Sequence, residues 1–287
     1  MKLNFTKMHG CGNDYIYIDC LAPAAPLAQI APQPAELSMR LSDRHKSIGG
    51  DGVIFICPSE VADAKMRMFN LDGSEGRMCG NGVRCVAEYL FCHGRANGDA
   101  VDIETLSGIK HIVRRAPGLL CVDMGAPELS PAKIPVAGFQ KPVINQLVEI
   151  NGGGVRITCV SMGNPHCVSF VPDTAQLNLP AMGAQFAQKQ LFPEGINAEF
   201  VTVVDATHLV LRVWERGSGE TLACGTGACA AVVAACLCGH CKQNTEVAVA
   251  LPGGTLTVCF TGKTVRMTGE AVTAFEGTIE QPRFCES

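Results

Sequence analysis

Two short stretches carry reactive residues at matching spacing: Cys79-Gly80-Asn81-Gly82-Val83-Arg84-Cys85 and Cys224-Gly225-Thr226-Gly227-Ala228-Cys229. In each, a cysteine stands immediately before a glycine-rich start to an apolar run, the position of a helix N-terminus. Unpaired backbone N–H groups at such an end carry partial positive charge, which lowers the pKa of a thiol and favours a bound carboxylate. Two such ends acting on one carboxylate-bearing carbon suit racemisation. One cysteine, as thiolate, removes the α-proton while the other, as thiol, delivers a proton to the opposite face. The N–H groups stabilise the charge that grows on the carboxylate. Taken singly, each stretch also reads as a capped helix with an inert core thiol.

Other reactive residues leave more than one reading open. His166, beside Pro165 in a turn, is either an alternative base or a residue that orients its neighbours. Glu215 and Arg216 are adjacent and in a regular strand would face opposite ways. Gly217 permits the bend that would bring both to one ligand. Asn13 either serves its own turn or faces a ligand. The segment Cys236-Leu237-Cys238-Gly239-His240-Cys241 is rich in thiol and imidazole, with C-x-x-C spacing between Cys238 and Cys241. It lacks a second pair at finger spacing and lies mostly on an apolar helix end, so a core or surface role is expected rather than a metal site. No lysine motif for pyridoxal phosphate is evident, and no cofactor is expected.

The elements around these residues follow from periodicity. Leu3 to Met8 and Tyr15 to Asp19 read as strands joined by the glycine-rich turn His9-Gly10-Cys11-Gly12-Asn13-Asp14. Ala22 to Pro34 reads as a surface loop, Glu36 to Asp43 as a short helix and Val53 to Cys57 as a strand. Lys65 to Asn70 alternates and delivers Asn70 to the first cysteine. Gly82 to Cys92 is apolar on most faces apart from Arg84 and Glu88, which predicts a buried helix. Strands are expected at 100–104, 109–114 and 119–124, and the prolines at 127, 131 and 135 mark a domain boundary.

The second half begins again with strands. Val155 to Ser161 and Cys167 to Val171 flank Met162-Gly163-Asn164-Pro165-His166, an echo of the first turn. Leu179 to Leu191 reads as a helix, Phe200 to Val204 and His208 to Trp214 as strands, and Ala228 to Cys238 as a helix apolar on every face. From Glu246 to Glu280 a series of strands is separated by Gly253-Gly254, Gly262 and Gly269. Two domains are therefore expected, residues 1–124 and 125–269.

Composition narrows the setting. The 287 residues are 47% hydrophobic and 17% charged, with a net charge of -4 and no basic run, which suits a globular protein and gives no reason to expect nucleic acid. The first residues contain no apolar signal segment, and the longest apolar run, Ala228 to Cys238, is too short to cross a bilayer. A soluble, cytoplasmic protein without a membrane partner is expected, acting on a small molecule; a homodimer is compatible with the sequence. Sixteen cysteines in a chain of this size without a signal peptide read as reduced thiols, with Cys57, Cys159 and Cys259 as small core residues.

Assembled, these residues resemble the diaminopimelate epimerase family of cofactor-independent amino-acid epimerases of the lysine and peptidoglycan pathway. The matching segments are Phe5 to Asp14, Phe69 to Glu75, Met78 to Cys85, Met162 to His166 and Trp214 to Gly227. The resemblance implies two similar α/β (α+β) domains, each a curved, mostly antiparallel sheet around a central helix, with the active site in the cleft between them. It also implies that the last strand returns to the first domain, so that residues 270–287 join it.

Position by position, the resemblance implies that Cys79 and Cys224 are acid and base. Gly80, Asn81, Gly225 and Thr226 would hold the reacting carboxylate through backbone N–H groups. Asn13, Asn70, Asn164, Asn197, Glu215 and Arg216 would bind the amino groups and the distal carboxylate. Ser47 and Glu270 depart from the glycine and proline usual in the family. The expected reaction is conversion of LL- to meso-diaminopimelate. Its rivals are a proline or hydroxyproline racemase, which Arg216 and the asparagines disfavour, and a thiol sensor that binds amino acids without turnover.

Overall fold

Strands dominate because apolar and polar residues alternate through most of the chain and glycine turns interrupt them at short intervals. The structure is a computed structural model and describes residues 2–22, 27, 31–150, 152–186 and 190–280. The chain divides into two compact units, Met1–Val122 with Gly269–Ser287, and Asp123–Thr268.

Unit 1 begins with the hairpin β1 (Lys2–Gly10) and β2 (Asn13–Asp19), whose turn places Cys11 and Gly12 at positive φ. Helix α1 (Pro34–Ser42) follows, opened by a proline whose fixed φ suits a first helical turn. Next come β3 (Gly52–Cys57), β4 (Ala64–Asn70) and the two-residue β5 (Glu75–Gly76). Helix α2 (Gly80–Cys92) leads into the meander β6 (Ala100–Thr105), β7 (Gly108–Ala116) and β8 (Leu119–Gly125).

Unit 2 carries β9 (Gln146–Ile150), β10 (Gly153–Ser161), β11 (Pro165–Phe170) and helix α3 (Leu179–Phe186). After these come β12 (Asn197–Asp205), β13 (His208–Glu215), β14 (Gly219–Thr221) and helix α4 (Gly225–Leu237). It closes with β15 (Glu246–Leu251), β16 (Gly254–Phe260) and β17 (Val265–Glu270), and β18 (Val272–Glu280) pairs with β1 in unit 1.

The two units share one topology. Unit 1 orders its strands β18-β1-β2-β3-β4-β6-β7-β8, with β5 also on β4. Unit 2 repeats this as β9-β10-β11-β12-β13-β15-β16-β17, with β14 also on β13. In both, the third and fourth strands run parallel, as do the fifth and sixth, and every other pairing is antiparallel. A parallel step needs a crossover, and α1 with α2 in unit 1, and α3 with α4 in unit 2, supply them.

The second crossover helix of each unit is the core. Helix α4 packs on β10, β11, β12, β13 and β16, strands near both ends of its sheet, so the sheet curls around it. Every residue from Ala228 to Ala235 is fully buried, as a helix apolar on all sides requires. The valines at 232 and 233 each contribute about 1.5–3 kcal/mol by leaving water. Helix α2 packs on β1, β2, β6 and β7 and is buried from Gly80 through Leu90, Arg84 and Glu88 included.

Some boundaries differ from the sequence reading. The helix expected to reach Leu191 is α3, which the structure describes only to Phe186; residues 187–189 lie outside the described residues and Leu191 sits in a turn. Gly269 lies inside β17, and the strand breaks instead at Ala271, whose N–H turns to Gly118 O (2.9 Å). Strand β9 was not expected, because its Leu147 is exposed and its pattern does not alternate. Much of the loop expected at 22–34, namely residues 23–26 and 28–30, lies outside the described residues, as do 281–287. Among the described residues, no helix is long and apolar enough to cross a membrane.

Candidate active site

Each unit presents its cysteine in the same local geometry. Cys79 and Cys224 are the N-caps of α2 and α4, with extended backbones (φ -129°, ψ 121° and φ -122°, ψ 107°). The Gly82 N–H donates to Cys79 Sγ (3.3 Å) and the Gly227 N–H to Cys224 Sγ (3.4 Å). The sulfur thus takes the place of the usual Ser or Asp oxygen and satisfies one of the helix's unpaired donors.

In unit 1 the Cys79 thiol donates to Asn13 Oδ1 (3.2 Å), which also accepts from Asn81 Nδ2 (3.4 Å). Asn13 is held in that orientation because its Nδ2 donates to Asp51 Oδ2 (2.7 Å). Asp51 and Asp14 share Arg44, and Asp14 also pairs with the buried Lys7 (2.6 Å), which donates to Gly49 O. Burial works against ionisation of Asp14, but the bonds from Arg44 and Lys7 outweigh it and hold the carboxyl below its ordinary range. The fully buried Arg84 donates to Gly80 O (3.1 Å), Asn81 Oδ1 (2.9 Å) and Glu270 O (3.3 Å), bracing the first turn of α2. Glu270 serves through its carbonyl, a role that does not depend on its side chain. Asn70 stands at the end of β4, where its Nδ2 donates to Ser74 Oγ (3.0 Å).

In unit 2 Cys224 Sγ also lies 3.4 Å from Thr226 Oγ1. The sequence predicts a lowered thiol pKa at this helix end, and the structure corrects it. Burial, then the charges of Glu215 and Glu199, push the Cys224 thiol well above its ordinary value, outweighing Thr226 and the Gly227 N–H. Asn197 Nδ2 donates to Pro165 O (2.9 Å) and its Oδ1 accepts from the Arg216 N–H (2.8 Å), tying β12 to the bend after β13. Gly217 makes that bend at φ 90°. Glu215 accepts from Thr221 Oγ1. The Arg216 guanidinium donates to Glu194 O (2.8 Å) and lines a pocket of about 290 Å³ with Trp214, Pro193 and Ile196. A larger cavity of about 690 Å³ in unit 1, lined by Tyr17, Tyr89 and His93, contains none of these residues.

His166 is fully buried between Asn164 Oδ1 (3.0 Å) and Glu199 Oε1 (2.7 Å). Both ring nitrogens are thus engaged by partners within unit 2. A Cβ placed on Gly227 would lie 2.9 Å from Glu199 Oε1 and 3.3 Å from Cys224 Sγ, so that carboxyl reaches the cap of α4. Sequence reasoning missed Glu199, Asp51, Asp14, Lys7, Arg44 and the bracing role of Arg84. Their partners are remote in sequence, beyond the reach of local pattern; Arg84 alone was marked, as a charged residue inside an otherwise apolar run.

None of the described cysteines is in a disulfide, and Cys57 and Cys159 are buried in the core while Cys259 is partly exposed. Cys236 and Cys238 are half-buried at the end of α4 and Cys241 is buried beyond it. Among the described residues, no group of three or more His, Cys, Asp or Glu side chains is placed to hold a metal ion.

Comparison with known proteins decides the family. A model of the family described as diaminopimelate epimerase matches residues 5–130 and 158–274. The chain belongs to the diaminopimelate epimerase family. The diaminopimelate epimerase of Acetivibrio thermocellus is 47% identical over 284 residues, covering 97% of this chain and 99% of that protein. That of Desulfovibrio desulfuricans is 47% identical over 290 residues, covering 96% and 98%. Among solved structures, a hydroxyproline epimerase from Agrobacterium vitis with bound trans-4-hydroxy-L-proline shares the fold, with a TM-score of 0.68 at 14% identity over 97% of this chain and 92% of that one. The family that the motifs resemble is the one found, and the two repeated α/β units are its architecture.

Proposed function

We propose that this chain converts LL- to meso-diaminopimelate without a cofactor, with Cys79 and Cys224 as the acid and base on opposite faces of one α-carbon. The observation that carries the reading is the repeated device: in each unit a cysteine caps the buried central helix and leaves the first-turn N–H groups beside its sulfur. Backbone N–H groups of Gly80, Asn81, Gly225 and Thr226 hold the reacting carboxylate and stabilise the charge that develops as the proton leaves. In the direction in which Cys224 delivers the proton, its raised pKa keeps it in the thiol form that step needs.

Asn13, Asn70, Asn164, Asn197 and Glu215 bind the amino groups and distal carboxylate, and Arg216 gives that carboxylate a planar, charged partner. His166 supports the site through Asn164. A diacid with two amino groups suits this set better than proline, which lacks the distal charge. The setting is cytoplasmic lysine and peptidoglycan precursor synthesis, chemistry that needs neither nucleic acid nor membrane, and a homodimer is compatible with it.

The test is formation of the meso isomer from LL-diaminopimelate, followed by chiral chromatography under reducing conditions. Cys79→Ala and Cys224→Ala should each lose at least about a thousandfold in kcat/KM, since each removes a proton-transfer group. Full activity in either variant would remove the two-cysteine scheme.

A further inference from the structure

Asn164, His166 and Glu199 form a short chain inside unit 2. Asn164 Oδ1 lies 3.0 Å from His166 Nε2, and His166 Nδ1 lies 2.7 Å from Glu199 Oε1. The imidazole and the carboxyl are fully buried, and Glu199 Oε2 has no partner among the described residues. An amide oxygen only accepts, so Nε2 carries a proton. Nδ1 faces a carboxyl oxygen, so a second proton lies between them, on the ring or on the acid.

Either placement leaves the pair neutral. Loss of that proton would leave a net negative charge enclosed in the unit, which is costly. Burial is the largest influence on Glu199 and pushes its carboxyl above the ordinary range; His166 opposes this, and the charge of Glu215 adds to it. The retained proton keeps Nε2–H in place, and Nε2–H keeps the amide oxygen of Asn164 against the ring.

The geometry points to Glu199 as a positioning residue: by sharing a proton with His166 it fixes the Asn164 amide, leaving Nδ2 free to donate to an anionic group of the ligand. This rests on the ligand-binding role proposed above for Asn164. Glu199 itself touches no ligand in this scheme.

Glutamine at position 199 releases the lock. It can donate to Nδ1, or accept from it; in the second case Nε2 is bare and Asn164 reverses, turning its oxygen toward the ligand. With the correctly turned amide reduced to between about a half and a tenth of the molecules, KM rises about two- to tenfold while kcat holds.

Nitrogen-15 NMR of histidine-labelled protein near neutral pH reads the ring directly, the His166 signals being those lost in His166→Gln. The wild type should show Nε2 protonated, and Glu199→Gln should show it partly or wholly unprotonated. Kinetics with LL-diaminopimelate should show the KM rise in Glu199→Gln and its absence when the change is made in an Asn164→Ala background. An unprotonated Nε2 in the wild type, a fully protonated one in Glu199→Gln, an unchanged KM in Glu199→Gln, or an equal KM rise in the Asn164→Ala background overturns the assignment. If the wild type leaves LL-diaminopimelate unchanged, the proposed function fails, and the NMR comparison still decides whether Glu199 sets the His166 tautomer.

Discussion

At Cys224 two influences on a thiol oppose each other. The Thr226 hydroxyl and the Gly227 N–H favour the thiolate, whereas burial, Glu215 and Glu199 favour the thiol and prevail. Removing one negative charge should therefore lower the thiol pKa and expose more thiolate at a given pH. In a Cys79→Ala background, Glu215→Gln should speed alkylation of Cys224 by iodoacetamide at neutral pH, by about tenfold for each pKa unit released. An unchanged or slower rate, read by peptide mass spectrometry, contradicts this balance. The two cysteine caps were legible because Cys-Gly-x-Gly before an apolar run occurs twice, although each copy alone also reads as a capped helix with an inert thiol. Glu199 was not, because β12 is buried on both faces along Asn197–Val201 and gives no polar alternation to mark one residue as special. Its partner His166 is 33 residues away, beyond the reach of local pattern.

The helices show how an element serves the site. Glycine is a poor helix former, and Gly227→Ala alone would favour α4 by about 1 kcal/mol. Yet the new Cβ would stand 2.9 Å from Glu199 Oε1, which His166 holds at 2.7 Å, and 3.3 Å from Cys224 Sγ. At Gly82 the corresponding contact is 2.7 Å from Ile54 Cδ1, the free end of a flexible side chain. Gly227→Ala should thus cost about ten- to a hundredfold in kcat/KM, because the cap shifts, with little change in melting temperature. Gly82→Ala should cost less. Equal losses in the two variants would sink the argument. The central helices were legible as elements, since a run apolar on every side has to be enclosed. Their first turns began two or three residues earlier than periodicity suggested, because Gly80 and Gly225 look like loop residues until the cysteine cap is recognised.

Across the whole molecule, one topology occurs twice, and β18 fills in unit 1 the place that β9 fills in unit 2. The sequence displays this repeat only at its chemical points, the two Cys-Gly segments and the two Asn-bearing turns. The strand order was not legible, because parallel steps such as Tyr15↔Gly52 and His166↔Asn197 join residues separated by whole elements. Each unit carries one cysteine-capped central helix, and the proposed two-base epimerisation would draw one monoprotic thiol from each. The most direct test is LL-diaminopimelate turned over in deuterium oxide and analysed by NMR and mass spectrometry at low conversion. The account predicts that the meso product carries solvent deuterium at the inverted carbon while the remaining LL substrate stays protiated. Product that keeps the original proton would indicate a single base returning it, and would contradict the account.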